Sequence, residues 1–184
     1  LATGSVAISI NGKMEYQRAL GFAALDDDRK IQADIFTKYR IGSVSKMFTA
    51  VMIFQLIEER KLSADQALAS FFPQLPNAAK ITIGDMLWHR SGLHDYTKDT
   101  GFPGWMDKPK SRDEMLQIIS GAGTDFDPGT KAEYSNTNYL LLSYIIEKIT
   151  GMPYALALEK RITAKTGLRN THYGKPINSK KNES

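Results

Sequence analysis

Cysteine is absent from this 184-residue chain. A disulfide framework, a thiolate zinc site and a cysteine nucleophile are therefore excluded, and no redox compartment is indicated. Histidine is scarce. His89, His94 and His172 are the only three, and none stands at metal-ligand spacing from another, so no metal site is expected. No apolar run reaches the roughly 18–20 residues that a membrane span needs. No charged segment followed by an apolar stretch stands at Leu1, so an export signal would lie outside these residues. Charge of one sign is in small excess, with 24 Lys+Arg against 20 Asp+Glu for a net +4. Without the Lys-rich stretch Lys175 to Ser184 the balance is 21 against 19, too even to indicate a nucleic-acid partner. What is present is ordinary: 42% hydrophobic and 24% charged residues, at a length suited to one domain or one large piece of a larger one.

Strand signals crowd the first forty residues. Gly4 to Ile10 is β-rich, Asn11-Gly12 follows, and a second run spans Lys13 to Ala23. Asn-Gly between two such runs predicts a hairpin. A polar turn at Asp26–Lys30 and a run from Ile35 to Ile41 complete this part. Asp26-Asp27-Asp28 reads as a solvated turn rather than a metal cluster.

Helix signals fill the rest. Ser43 to Glu59 carries apolar residues around most of its circumference, which predicts a helix buried on all sides. Thr82 to His89 starts at a plausible N-cap and stops before Gly92. Ser111 to Ser120 opens on the capping-box pattern Ser111-x-x-Glu114. Asn138 to Thr150 ends at Gly151, and Pro153 to Ala164 opens with a proline in the first turn. The stretch from Lys175 is polar and expected to be mobile. A two-stranded hairpin is marginal by itself, and the strands that should pack beside it are not visible, so the sequence reads as one incomplete domain. Residues 1–42 hold its strands, 43–174 its helical part and 175–184 a polar tail.

Two short motifs carry chemistry. Ser43-Val44-Ser45-Lys46 is S-x-x-K at the start of a helix. Positions i and i+3 share a helix face, so the hydroxyl and the amine can meet. The free N–H groups of a helix start favour developing negative charge, and the serine's own N–H can serve an oxyanion hole. The amine must lose its proton near neutral pH, which burial among apolar neighbours such as Met47 and Phe48 would favour. Taken alone, this motif reads first as a capped helix with a snorkelling lysine, because chance gives about one S-x-x-K in such a chain. Tyr134-Ser135-Asn136 precedes a second apolar helix. A phenol near an ammonium can shuttle a proton, and an amide can accept from the lysine while donating to a substrate carbonyl. Taken alone, it reads as a helix N-cap at Asn136 beside a packed tyrosine. The two helices must pack together to bury their faces, which would gather Ser43, Lys46, Tyr134 and Asn136 at one mouth.

At these residues the sequence resembles the serine β-lactamase and penicillin-binding-protein-like hydrolases. It is most similar to the branch with class C β-lactamases, D-alanyl-D-alanine carboxypeptidases and esterases. The matching stretches are Tyr39 to Ala50, Ile81 to Leu93, Phe126 to Thr130, Tyr134 to Asn136, Ile145 to Gly151 and Gly167 to Thr171. The resemblance implies an α/β fold, with a mainly antiparallel sheet flanked by helices plus a helical lobe, incomplete here on the C-terminal side. It implies a serine hydrolase working through an acyl-enzyme on an amide, β-lactam or ester carbonyl. Ser43 would be the nucleophile, Lys46 its proton partner, Tyr134 the general base and acid, and Asn136 a substrate-positioning residue. No cofactor and no metal are implied. The partner would be a small-molecule or peptide substrate, and export to periplasm or cell surface is the family habit.

The family's third motif, Lys/His-Thr/Ser-Gly on a strand, has a decoy here. Lys165-Thr166-Gly167 falls at a helix end, where Gly167 suits a C-cap. The true motif is expected after Ser184, with the strands that complete the sheet, as a missing segment or separate fragment. Its absence leaves a second reading, a non-catalytic truncated or ligand-sensing module. Ser91, His94 and Asp95 do not read as a triad, since adjacent loop residues rarely form one. His89 reads as a helix-end residue making a structural bond, and Trp88 and Trp105 as core or groove wall. Phe102-Pro-Gly-Trp105 lies where relatives shape their cleft.

Overall fold

The computed structural model describes residues 3–26 and 29–174. The polar stretch from Lys175, and Asp27-Asp28 of the acidic turn, lie outside the described residues. The described chain divides into two compact units. One comprises residues up to Ser43 together with those from Arg169 onward, and the other is Val44–Leu168.

The first unit holds four strands, β1 (Gly4–Ile10), β2 (Lys13–Leu20), β3 (Phe22–Asp26) and β4 (Arg29–Gln32). They form two separate antiparallel pairs, β1–β2 and β3–β4. The β1–β2 turn is the predicted Asn11-Gly12, with both residues at positive φ, 50° and 79°. That is the twist a two-residue hairpin turn needs. Pairing runs from Gly4↔Leu20 to Ile10↔Lys13 and shifts register between Ile8 and Ser9, a bulge that leaves Glu15 without an opposite residue. Val6 and Ile8 share a face of this ribbon with Tyr16, and all three side chains are exposed. Two sequence expectations are corrected. The run Lys13 to Ala23 is broken at Gly21, so it forms two strands rather than one. Both ends of the expected turn Asp26–Lys30 are strand rather than turn, because Arg29 and Lys30 of β4 pair with Asp26 and Leu25 of β3.

The second unit is helical. The 3₁₀ turn Gly42–Val44, where the chain passes from the first unit into the second, runs directly into α1 (Ser45–Glu58), and α2 (Ile83–Leu87), α3 (Arg112–Ala122), α4 (Asn136–Thr150), α5 (Tyr154–Leu158) and α6 (Ala164–Thr166) follow. A π turn at Glu159–Thr163 joins α5 to α6. The predicted starts hold where a side chain can satisfy free N–H groups. Thr82 and Ser111 both form capping boxes, with Asp85 and Glu114 respectively. The start of α4 differs from expectation. Its cap is Ser135, whose side chain makes no capping bond, so Asn136 is already the first helical residue. Lys165-Thr166 sit on α6, which ends at Gly167 with φ 72°, the helix end that the spacing predicts.

α4 is the centre of this unit. Its Leu141, Leu142, Ile145 and Ile146 are fully buried, as are Met52, Ile53 and Leu56 of α1 and Ile83 and Met86 of α2. Helix α4 packs against α1, α2 and α5. Removing each such side chain from water contributes roughly 1.5–3 kcal/mol before conformational entropy is counted. The expectation that α1 is buried all round is corrected. Met47 is 63% exposed and Phe54 49%, with Val44 and Val51 also exposed between and beside them. Apolar composition sets how many sides a helix could bury, while the neighbours available decide how many it does. Thr49, on the buried side of α1, bonds Tyr154 of α5 through their hydroxyls at 2.7 Å. Arg161 grips Glu59 with two nitrogens at 2.9 and 3.1 Å, and this holds the Glu59 carboxyl down at about 2, the Arg161 bond acting first and Lys61 second.

Candidate active site

Three of the four residues singled out from sequence meet within the helical unit. Lys46 lies in the first turn of α1, and its ammonium donates to Asn136 Oδ1 at 2.8 Å. The Tyr134 hydroxyl donates to the same oxygen at 3.2 Å. Lys46 Nζ also stands 4.9 Å from the centre of the Tyr134 ring and 5.6 Å from that of Tyr139, close enough for cation–π attraction. Ser43 is exposed and lies in the 3₁₀ turn that leads into α1, three residues ahead of Lys46. Lys46 is half-buried, but its surroundings are aromatic faces and an amide oxygen. Met47, expected to supply an apolar wall, points to solvent.

The segment before α4 is held by a histidine. His89 follows α2 with φ 56°. Its Nδ1 accepts the Ser135 N–H at 3.1 Å, and its carbonyl accepts the Glu133 N–H at 2.8 Å. Its ring lies 4.7 Å from that of Tyr134 and 5.2 Å from that of Tyr139. Burial first, and the Lys46 charge second, push the His89 pKa below the usual imidazole value. A neutral ring is what an accepting Nδ1 requires. This is the structural bond expected of His89. Tyr139 is fixed in turn by donating to the Leu87 carbonyl at 3.1 Å, and burial raises its phenol pKa.

A second layer was not anticipated from sequence. Asp95 is 3% exposed. It caps the turn Tyr96–Lys98 by accepting the Thr97 N–H at 3.1 Å and the Thr97 hydroxyl at 2.9 Å on Oδ1. Its Oδ2 accepts from Asn136 Nδ2 at 3.1 Å. The other Asn136 hydrogen faces Thr97 Oγ1 at 3.1 Å. Thr137, fully buried, ties the same loop to α4 by donating to the His94 carbonyl at 2.6 Å and accepting the Tyr96 N–H at 3.3 Å. The sequence signal for Asp95 was the spacing to Thr97, which marks a capped turn. It could not reveal a partner 41 residues away.

The remaining polar residues go elsewhere. His94 bridges Asp125 at 2.8 Å and Asp99 at 3.2 Å, while the Ser91 hydroxyl donates to Asn138 at 2.5 Å. Ser91, His94 and Asp95 therefore form no triad. Tyr96, Phe102 and Trp105 make an aromatic cluster with ring separations of 5.0 to 6.0 Å, and Lys110 stands over Trp105. Trp88 is exposed. Among the described residues no group of three or more His, Asp or Glu is arranged to hold a metal ion.

An amine, a phenol and an amide held at the starts of two helices belong to a definite class. Residues 1–183 match the Beta-lactamase family, and the chain belongs to it. The expected α/β fold, with antiparallel strands and a helical lobe, is that family's fold. Among curated relatives, teichoic acid D-alanine hydrolase of Staphylococcus aureus is 31% identical over 155 residues, covering 84% of this chain and 37% of the relative. Among solved structures, D-amino acid amidase from Ochrobactrum anthropi SV3, complexed with L-phenylalanine amide, superposes with a TM-score of 0.77 at 32% identity. That match covers 90% of this chain and 46% of the amidase. A penicillin binding protein from Bacillus halodurans gives a TM-score of 0.83 at 26% identity, with 98% and 56% covered. The chain thus spans about half or less of the length of these relatives.

Proposed function

We propose that the whole protein is a serine hydrolase that acts through an acyl-enzyme on Ser43. The observation that carries this reading is the convergence of the Lys46 ammonium and the Tyr134 hydroxyl on one oxygen of Asn136. This brings two groups able to take or give a proton to one point at the start of α1.

In the forward step, Lys46 in its neutral form or Tyr134 as its phenolate takes the Ser43 proton, and Oγ bonds to the substrate carbonyl carbon. The carbonyl π electrons move to oxygen, where the Ser43 backbone N–H at the helix start can stabilise them. Collapse of this intermediate breaks the bond to the leaving nitrogen or oxygen. The leaving group takes a proton from Tyr134, which Lys46 replaces where the amine was the base, and the acyl group stays on Ser43. Water then repeats the sequence and releases the acid. Asn136 positions substrate by giving up its Thr97 contact and donating that hydrogen to a substrate oxygen.

The substrate class is an amide, β-lactam or ester. Two relatives carry D-alanine or D-amino acid in their names, which supports a D-aminoacyl amide or ester within that class. Export to the periplasm or cell surface is part of the proposal and rests on family membership. Among the described residues no helix is long and apolar enough to cross a membrane.

The test is covalent labelling of the full-length protein by a fluorescent penicillin or a fluorophosphonate. Labelling should vanish in Ser43→Ala, and labelling that survives would refute the role of Ser43. A panel of nitrocefin, D-Ala-D-Ala peptides, D-amino acid amides and p-nitrophenyl esters then ranks the substrates. A protein that labels but turns over none of them would be the ligand-sensing alternative.

A further inference from the structure

We propose that Asp95 is the residue that sets the orientation of the Asn136 amide, and through it the position of the Lys46 amine. The proposal rests on the hydrolase reading above and adds a positioning residue to it.

The amide of Asn136 has two different ends, and its neighbours accept only one arrangement. Toward the loop stand the Asp95 carboxylate, which can only accept, and Thr97 Oγ1, which already donates to Asp95. Toward α1 stands the Lys46 ammonium, which can only donate. The observed orientation satisfies both sides, with Nδ2 toward the loop and Oδ1 toward Lys46 and Tyr134. Rotating the amide by half a turn would set its oxygen against the carboxylate and its N–H groups against the ammonium. Both new contacts would be repulsive, and Asp95 is buried where water screens them little.

Asp95 is itself immobilised. The Thr97 N–H and hydroxyl hold Oδ1, and the flanking His94 carbonyl and Tyr96 N–H are tied to Thr137. The residue after Asp95 thus begins a capped turn, while Oδ2 is left directed at α4. One carboxylate does two jobs: one oxygen caps the loop, and the other reads the amide.

The two jobs are separable by substitution. Asp95→Ser keeps a side-chain oxygen that can cap Thr97 but is too short to reach Asn136. Asp95→Asn can satisfy either the cap or Asn136, and not both.

The experiment is the rate of fluorophosphonate acylation of the full-length protein against pH, with thermal melts to verify folding. Asp95→Ser and Asp95→Asn are expected to acylate roughly 10- to 100-fold more slowly, as misplaced reacting groups do. The acid limb of the profile should move to lower pH, because an ammonium that loses its acceptor is easier to deprotonate. Folded single variants that lose rate with an unmoved limb would reduce Asp95 to a loop cap and overturn the proposal. Wild-type rates in the folded single variants would overturn it too, with the hydrolase reading intact. A wild-type protein that never labels would overturn both.

Discussion

Lys46 and Asn136, 90 positions apart in sequence, meet through a 2.8 Å bond from ammonium to amide oxygen. The contact joins the first turn of α1 to the first residue of α4. It fixes a flexible side chain at the point where the proposed mechanism moves a proton. Lys46→Ala should lower the acylation rate of the full-length protein by roughly 10²- to 10⁴-fold, the range for removing a positioned acid–base group. Lys46→Arg should fail to restore it, since a guanidinium keeps its proton at any working pH. Stopped-flow labelling with a fluorophosphonate checks both.

The helical unit should be sensitive at its centre and tolerant on its outer stripe. Ile145 of α4 is fully buried, while Met47 of α1 is mostly exposed. Ile145→Ala should cost about 2–5 kcal/mol, from lost burial plus an unfilled cavity. Met47→Ala should stay within about 0.5 kcal/mol. Urea unfolding followed by circular dichroism separates the two.

Gly92 has no room for any side chain. Its φ is +74°, and an added Cβ would lie 2.0 Å from the carbonyl oxygen of Phe126. Backbone strain alone costs about 1–3 kcal/mol at such a site, and the collision adds to it. The Asp125 N–H bond to the Gly92 carbonyl, 2.8 Å, lies in the segment that would be pushed away. Gly92→Ala should therefore lower the melting temperature more than any surface substitution in the same loop, as calorimetry would show.

The two loop histidines should titrate in opposite directions. The Asp125 bond first, and the charges of Asp125 and Asp99 against burial, raise the His94 pKa, whereas burial lowers that of His89. Ring-proton NMR should place His94 above 6.5 and His89 below it. For His94 the folded value exceeds the unfolded one, so its stabilisation is fully present below about pH 6.5 and fades as pH rises through the folded value. The melting-temperature gap between wild type and His94→Gln should accordingly be widest below about pH 6.5 and narrow as pH rises through the folded value.

Local chemistry made much of this fold legible in advance. Asn11-Gly12, the capping boxes at Thr82 and Ser111, and the helix ends at Gly151 and Gly167 are decided within a few residues, and the sequence shows them. The break at Gly21 and the strand β4 depend on which segments pair, and a polar composition hides that. The exposed side of α1 was misread for the same reason, because hydrophobicity reports what a helix could bury and not what lies beside it. At the site, Lys46, Tyr134 and Asn136 were legible as motifs. Asp95 was not, because its importance comes from one oxygen meeting α4, a relation with no sequence periodicity.

The β1–β2 ribbon has a practical consequence. Among the described residues neither strand has a second ladder partner, and Val6, Ile8 and Tyr16 crowd one side of it in contact with solvent. Backbone groups along such a border can take up a further strand, from a longer chain or from another molecule, and branched and aromatic side chains strengthen the union. Arg18 opposite Val6 and Lys13 opposite Ile10 place cationic side chains on that side, which restrains such pairing.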